Sequence, residues 1–289
     1  SLYHCNVADS CGFSPCTLRT IALMMSLPAS PIPALSSITV DAATLRILQQ
    51  HDARQPRAPA SLTKLMTAHV AYVAIAHDGH AWSDTTTVDA RDVHAVAADE
   101  TRMGLVPGET ITLARLLEGL MIVSGNDAAL ALARHLAGSE AAYVQRMNDT
   151  AARMGLRDTH FVSVSGITTP GHVSTAHDMA MLAARLLADH PQVLAITAQR
   201  HFSHGTFCKD NQNTLLGSDG IDGLKTGYTR AAGFCLAATA CRDSEEATHR
   251  LINITLGAPT RETRNAWVQQ CLQEGFAQLQ RDAAISARG

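Results

Sequence analysis

Residues 59–68 constrain this chain most, because they place Ser61 and Lys64 three positions apart at the start of an apolar segment. Residues at i and i+3 lie on the same face of a helix, so the hydroxyl and the amine would lie close together. Pro59 suits a position just before a first helical turn. The free N–H groups of that turn would stabilise an oxyanion forming beside Ser61. The segment therefore predicts a nucleophile at a helix start.

Lys64 is notable because lysine is rare in this chain. Of 23 basic residues, three are lysines, at positions 64, 209 and 225, and the others are arginines. An amine, unlike a guanidinium, can lose its proton when it is buried. We therefore interpret Lys64 as the general base for Ser61. The alternative is that Ser61 caps the helix and Lys64 is solvated, since S-x-x-K is a short pattern.

Composition excludes several classes of function. The 289 residues have a net charge of −3 and 4% aromatic residues, so the sequence does not favour nucleic acid as a partner. The seven cysteines and fourteen histidines show neither C-x-x-C nor H-E-x-x-H spacing, so neither a metal nor another cofactor is predicted. A small substrate of neutral or mixed charge is the better expectation.

The N-terminal residues 1–35 are expected to be poorly ordered. Within them, residues 17–35 contain one positive charge, an apolar run and small residues afterwards, which form a weak signal-peptide pattern that three prolines interrupt. No later stretch has about twenty consecutive apolar residues, so a membrane-spanning helix is not expected there.

Hydrophobic periodicity predicts an α+β fold. Short strands are expected near residues 38–41 and 44–48, helices over residues 110–187, strands at 221–226, 233–240 and 251–256, and a final helix over 260–280. Strands at both chain ends indicate one antiparallel sheet with the helical insert packed beside it.

Two further motifs carry candidate site residues. Ser124-Gly125-Asn126 joins two leucine-rich helices and offers a hydroxyl and an amide, although Asn126 or Asp127 could simply cap a helix. Lys225-Thr226-Gly227 ends a predicted strand, where it would present a cation and a hydroxyl beside an unobstructed backbone. The alternative is an exposed lysine followed by a turn glycine. Two of the three lysines in the chain, Lys64 and Lys225, lie in motifs of this kind, and this coincidence favours a functional site.

The ordered set S-x-x-K, S-x-N and K-T-G resembles that of penicillin-recognising serine enzymes. More closely, residues 59–67, 124–128 and 223–229 resemble the motifs of low-molecular-mass penicillin-binding proteins of the D-alanyl-D-alanine carboxypeptidase family. Residues 174–178 and 232–234 agree with that family, and the resemblance covers roughly residues 38–279.

This resemblance implies a β-lactamase/transpeptidase-like fold, with helices on the faces of the sheet and an all-helical subdomain. A single catalytic domain is expected over residues 36–282, with its sheet part at about 36–76 and 200–282 and its helical part at about 77–199. No C-terminal anchor domain is expected.

The resemblance also implies a role for each motif residue. Ser61 would form an acyl-enzyme with D-Ala-D-Ala peptides, Lys64 would take its proton, and Ser124 would relay a proton to the leaving amine. The substrate-binding residues would be Asn126 for the substrate amide, Lys225 and Thr226 for the terminal carboxylate, and Gly227 and Tyr228 beside them. The backbone N–H groups of Ser61 and Tyr228 would form the oxyanion hole.

The implied function is removal of the terminal D-Ala during peptidoglycan maturation, with stem peptides as substrates and β-lactams as acylating inhibitors. The expected protein is a monomer without a stable membrane anchor, in the periplasm or cell envelope, soluble or loosely associated with the wall. Alternatives are a D,D-endopeptidase, a β-lactamase or a catalytically idle binding protein. Gly125, where class A β-lactamases have Asp, favours a peptidase. Gln212 stands where some carboxypeptidases carry a carboxylate-binding arginine.

Overall fold

The computed structural model describes residues 35–243 and 247–286. The chain divides into two units, Ser1–Ile32 and Pro33–Gly289, and every described residue lies in the second. The predicted signal-like stretch of residues 17–35 therefore lies, apart from Leu35, outside the described residues. The predicted domain limits stay predictions.

The described residues form nine strands and eight α-helices. The strands are β1 (Ser36–Asp41), β2 (Ile47–His51), β3 (Thr85–Thr87), β4 (Thr110–Thr112), β5 (His201–His204), β6 (Phe207–Asp210), β7 (Ile221–Thr229), β8 (Gly233–Asp243) and β9 (Thr248–Ala258). The helices are α1 (Lys64–His77), α2 (Ala90–His94), α3 (Leu113–Ile122), α4 (Asn126–Ala137), α5 (Glu140–Arg153), α6 (Ala176–Asp189), α7 (Val193–Thr197) and α8 (Arg261–Ser286). A 3-10 turn, Ala60–Thr63, leads into α1.

One antiparallel five-stranded sheet, in the order β2-β1-β9-β8-β7, forms the centre of this unit. Strand β1 pairs with β9 from the other end of the chain, which confirms the predicted closure of the sheet by both chain ends. The α+β fold class is also confirmed. Strand β7 lies at an edge of this sheet, so one of its sides is open to a ligand or another element.

The two faces of the sheet are covered by different helices. On one face, Val268, Leu272 and Phe276 of α8 pack with Leu236 and Leu251 of the sheet. On the other face, the alternate residues of the strands pack into a larger core, and this core includes residues of helices α1 and α6. Because successive strand residues point to opposite faces, this alternation places apolar groups in both cores.

The region predicted as helical contains one small exception. Strand β4 occupies Thr110–Thr112 and pairs with β3, so α3 begins at Leu113 instead of Thr110. Thr112 caps this helix, because its Oγ1 accepts a hydrogen bond from the Arg115 N–H at 3.2 Å. Helices α4 and α5 end close to Gly138 and Gly155, and both glycines have the positive φ that is typical of helix C-termini.

The β5–β6 hairpin was not predicted. Its strands are short and mostly polar, and Phe202 is the buried residue among their eight positions. The alternation of apolar and polar residues is therefore too weak to indicate strands. Within the described ranges, none of the helices combines the length and the apolar character needed to cross a bilayer.

Candidate active site

A cleft of about 400 Å³ lies where the 3-10 turn, strand β7 and the turn between α3 and α4 meet. These segments come from three distant parts of the sequence, and they carry the three predicted motifs. Six predicted site residues line the cleft: Ser61, Ser124, Asn126, Thr226, Gly227 and Tyr228. Of the other two, Lys64 contacts Ser61 and Asn126, and Lys225 is buried beside Thr226.

The turn that carries Ser61 depends on a glycine from another segment. A Cβ at Gly166 would lie 2.0 Å from the carbonyl oxygen of Ala60, and Gly166 has φ of +83°. Ala60 itself has φ of 49°, which is uncommon for a residue with a side chain. Gly166 therefore allows its segment to pack directly against the backbone that positions Ser61.

Strand β7 approaches the same turn closely at Gly227. A Cβ at this position would lie 3.1 Å from the Ser61 backbone nitrogen and 3.0 Å from Leu62 Cδ1. These separations are shorter than ordinary contacts to a side-chain carbon. The absence of a side chain at Gly227 therefore lets the edge of the sheet approach the candidate nucleophile.

Lys64 is fully buried, and its Nζ contacts three oxygen atoms. These are Asn126 Oδ1 at 2.7 Å, the Ser165 carbonyl oxygen at 2.7 Å and Ser61 Oγ at 3.1 Å. Both carbonyl oxygens can only accept hydrogen bonds. A neutral amine would use its two hydrogens on them, which leaves its lone pair facing the Ser61 hydroxyl. This is the arrangement that a general base requires.

The surroundings of Lys64 favour this neutral amine. Burial lowers the pKa of Lys64 well below its ordinary value, and the charge of Lys225 lowers it further. The carboxylates of Glu100 and Asp127 act in the opposite direction but have smaller effects. Loss of solvation is the dominant cause, since a buried ammonium group loses the water that stabilises its charge.

Asn126 is oriented by a residue that sequence analysis missed. Its Nδ2 donates to Glu100 Oε2 at 2.6 Å, so its Oδ1 faces Lys64. Glu100 lies in an irregular segment without periodicity or a recognisable motif, which explains why the sequence did not indicate it. The carboxylate thus fixes which end of the amide meets the candidate base.

Ser124 adopts a left-handed backbone conformation, with φ of 65°, between α3 and α4. Its carbonyl oxygen accepts a hydrogen bond from Thr101 Oγ1 at 2.6 Å. Its own Oγ is buried and has no hydrogen-bond partner among the described residues. A buried hydroxyl without a partner is costly. The Ser124 hydroxyl is therefore available to a group that enters the cleft.

Lys225 is also buried, and its Nζ donates to the Thr226 carbonyl oxygen at 3.0 Å. Burial lowers its pKa from 10.5 to about 7, with a smaller contribution from the charge of Lys209. Near neutral pH this amine can therefore change its charge when an anion binds.

Tyr228 and two further residues line the open side of the cleft. The Tyr228 side chain is exposed and its ring lies 4.4 Å from the Phe234 ring, centroid to centroid. Gln212 lines the cleft, as its suggested match to a carboxylate-binding arginine would require. Arg230, which sequence analysis missed, also lines the cleft. It adds a cation beside the end of β7.

The sequence of this chain is similar to those of one family of known proteins. A family model described as D-alanyl-D-alanine carboxypeptidase matches residues 24–260. The D-alanyl-D-alanine carboxypeptidase DacC of Escherichia coli is 36% identical over 261 residues, covering 88% of this chain and 64% of that relative. The chain thus spans less than two thirds of that relative's length.

Two solved structures are similar to the described fold. Penicillin-binding protein 6B from Escherichia coli matches with a TM-score of 0.80 and 33% identity, over 88% of this chain and 80% of that one. Penicillin-binding protein D2 from Listeria monocytogenes, in a cefotaxime-bound form, matches with a TM-score of 0.74 and 30% identity. The second match covers 86% of this chain and all of the other.

Proposed function

Because this chain belongs to the D-alanyl-D-alanine carboxypeptidase family, we propose that it is a serine D,D-carboxypeptidase acting on peptidoglycan stem peptides. The observation that carries the proposal is the set of contacts around Lys64 Nζ. Two carbonyl oxygens take up the hydrogens of a neutral amine, and Ser61 Oγ lies 3.1 Å away on the remaining side. Ser61 is therefore the proposed nucleophile, with Lys64 as its general base.

In the first step, Ser61 Oγ attacks the carbonyl carbon of the penultimate D-Ala, and Lys64 takes the hydroxyl proton. The C–N bond then breaks, and the terminal D-Ala leaves as the free amine after it receives a proton through Ser124. The unpartnered Ser124 hydroxyl supports this role. Backbone N–H groups of Ser61 and Tyr228 are the proposed donors to the oxyanion.

In the second step, water attacks the acyl-enzyme. Lys64 removes a proton from this water, the ester bond to Ser61 breaks, and the serine oxygen recovers its proton. The stem peptide leaves with a new carboxylate at its remaining D-Ala. The same two side chains thus act in both halves of the reaction, as in other covalent mechanisms.

The substrate is proposed to lie along the open edge of β7. A peptide that adds to a sheet edge gains backbone hydrogen bonds, and the side chains around it give selectivity. Asn126 would bind the substrate amide, and Lys225 with Thr226 would bind the terminal carboxylate. Arg230 is a second cation for this carboxylate, because it lines the same cleft. It can compensate for the neutral Gln212.

The family also supports β-lactams as inhibitors. The related Listeria monocytogenes protein is described in a cefotaxime-bound form. A β-lactam would acylate Ser61 of this chain in the same way as the peptide, and the slow step would be hydrolysis. Since the substrate is part of the cell wall, the proposed location is the periplasm or cell envelope.

The test uses two substrates, a pentapeptide ending in D-Ala-D-Ala and a cross-linked muropeptide dimer. We expect free D-Ala from the pentapeptide and loss of this release in Ser61→Ala. Release of monomers from the dimer without D-Ala from the pentapeptide would replace the proposal with endopeptidase activity. A penicillin adduct mapped by mass spectrometry to any residue other than Ser61 would contradict the proposed nucleophile.

A further inference from the structure

A second cavity, of about 920 Å³, shares no lining residue with the active-site cleft. It lies beside helix α1 and the C-terminal end of α6. His69 of α1 lines it together with Asp189, the last residue of α6, and His190, which follows Asp189 directly. The proposed peptidase mechanism uses none of these three residues, so a role for them is independent of that mechanism.

These three side chains form a compact set of donors. One ring nitrogen from each histidine and one carboxylate oxygen of Asp189 lie within 4.8 Å of one another. Atoms at this separation can be brought to the 2.0–2.2 Å bonds of a first-row metal by small changes of side-chain torsion. The sequence did not indicate this set, because His69 is 120 positions from Asp189 and the spacing resembles no metal motif.

The buried histidine nitrogens provide a second, independent observation. His69 Nδ1 and His190 Nε2 are both buried, and neither has a hydrogen-bond partner among the described residues. The His69 residue is 3% exposed. A buried polar atom without a hydrogen-bond partner is destabilising, so two of them on rings whose centroids lie 5.2 Å apart require a physical reason. A metal ion bound by both rings is such a reason.

Neighbouring groups hold these side chains in place. The His190 ring stacks on Tyr72, with centroids 4.6 Å apart and planes 11° apart, and the His69 ring lies 5.2 Å away. Asp189 Oδ2 accepts a hydrogen bond from Arg185 Nε at 2.6 Å, which orients the carboxylate. Supporting contacts of this kind are typical around metal ligands.

We propose that His69, Asp189 and His190 form a Zn²⁺ site that joins α1 to the C-terminal end of α6. Two imidazoles and one carboxylate suit zinc, whereas Mg²⁺ and Ca²⁺ prefer oxygen ligands alone. Three protein ligands leave a fourth position toward the cavity for water or a small anion. Since α1 begins at Lys64, the ion would also stabilise the helix that carries the proposed general base.

Nearby positive charge acts against metal binding at this site. The positive charges of Arg153 and Arg185 act on His69 and oppose any added cation. We therefore expect zinc binding that is specific but weaker than at a typical site made of cysteines.

The test is zinc binding to the purified chain after removal of metals with a chelator. Calorimetry with ZnCl₂ is expected to give one equivalent per chain and a rise in melting temperature. In His69→Gln, Asp189→Asn and His190→Gln, the affinity should fall at least tenfold, as expected when one of three ligands is lost. Substitution of Co²⁺ should give the strong visible absorption of a tetrahedral site.

The matched control is the double variant His80→Gln/His135→Gln. With Asp84, these residues form another cluster of possible ligands, but neither histidine has a buried nitrogen without a partner among the described residues. This variant should bind zinc as the parent does. Unchanged zinc affinity in folded His190→Gln, or loss of binding in the control, would overturn the proposal. Circular dichroism of each metal-free variant separates loss of binding from loss of the fold.

Discussion

At the scale of single residues, the proposed chemistry depends on the geometry around Lys64. A serine and a lysine at i and i+3 are common, and by themselves they do not indicate a base. Here the Asn126 and Ser165 carbonyl oxygens occupy two positions around the amine, and burial disfavours its charged form. The remaining position faces Ser61. Each of these conditions depends on residues far from the motif.

Replacement of Lys64 with arginine tests the proposed base. A guanidinium keeps the positive charge but does not deprotonate in proteins, so it cannot accept the Ser61 proton. We expect acylation by penicillin to slow by about 10²–10⁴-fold, the usual contribution of a general base. Stopped-flow measurement or mass spectrometry of the adduct would give the rate. Lys209→Arg, the same substitution at a lysine outside the cleft, should acylate at the parent rate.

The charge of Lys225 should control the pH dependence of substrate capture. Its pKa is about 7, so the cation that we propose to bind the substrate carboxylate loses its charge as the pH rises above 7. The kcat/KM for a D-Ala-D-Ala peptide should therefore fall above about pH 7, because this ratio follows the ionisation of the free enzyme. It should also fall at pH values below the lowered pKa of Lys64, where this amine is protonated and cannot accept the Ser61 proton.

Lys225→Arg provides the control for this profile, because arginine keeps its charge across the range. The decrease that begins near pH 7 should disappear in the variant, even if its overall rate is lower. A decrease of the same size and position in Lys225→Arg would show that another group causes it. Profiles of kcat/KM between pH 5 and 9 are sufficient for the comparison.

At the scale of elements, the site depends on close backbone contacts between segments distant in sequence. The 3-10 turn with Ser61 packs against Gly166 on one side and against Gly227 of β7 on the other. A side chain at either glycine would lie too close to atoms of this turn. Gly166 also has a positive φ, which residues with a side chain rarely adopt. These backbone contacts position the turn that carries Ser61, the proposed nucleophile.

Gly166→Ala tests this packing. The added methyl group would overlap the Ala60 carbonyl oxygen, so the turn must move, and a shift of about 1 Å at a site can cost 10²-fold in rate. We expect a decrease of that size in penicillin acylation, together with a lower melting temperature. Acylation at the parent rate would contradict the proposed role of the contact.

Gly171→Ala is the matched control for Gly166→Ala. Its φ of +84° is nearly the same as that of Gly166, but the nearest atom to an added Cβ is Val162 Cγ2 at 3.8 Å. Both variants thus carry similar backbone strain, and Gly166→Ala alone introduces the clash with the turn. Gly171→Ala should lose about 1 kcal/mol of stability and keep its acylation rate.

At the scale of the whole molecule, burial of two lysines makes stability depend on pH. Lys225 has a pKa of about 7 when folded and about 10.5 when unfolded, so between these values the unfolded chain binds more protons. Stability therefore rises with pH in this interval, by at most about 1.4 kcal/mol per pH unit for one group. The lowered pKa of Lys64 acts in the same direction.

Urea unfolding at pH 7, 8 and 9 would measure this increase. The measurement stops at pH 9, because burial raises the pKa of the Cys235 thiol to about 11 and that of the Cys271 thiol to about 12. Above pH 9 these thiols lose their protons in the unfolded chain before they do so in the folded one, so their contribution to the free energy of unfolding decreases. In Lys225→Met the increase should be smaller, and the variant should be more stable than the parent at pH 7. Lys209→Arg should keep the parent slope. An unchanged slope in Lys225→Met would contradict the linkage.

The sequence by itself determined the order of the main elements and predicted the residues that the structure brings together at the cleft. Motif spacing predicted the eight candidate site residues, and periodicity predicted a sheet built from both chain ends. These features depend on local patterns, such as glycines at helix ends and apolar strands bounded by turns. The family comparison and the fold confirm the predicted family and the sheet.

Only the tertiary structure decided how these residues act on one another. The orientation of Asn126 by Glu100, the burial of Lys225 and the closeness of Gly166 to Ala60 all join segments separated by many residues. The same is true of the donor set at His69, Asp189 and His190. Desolvation and hydrogen-bond partners arise when distant segments pack together, so no local pattern in the sequence could indicate them.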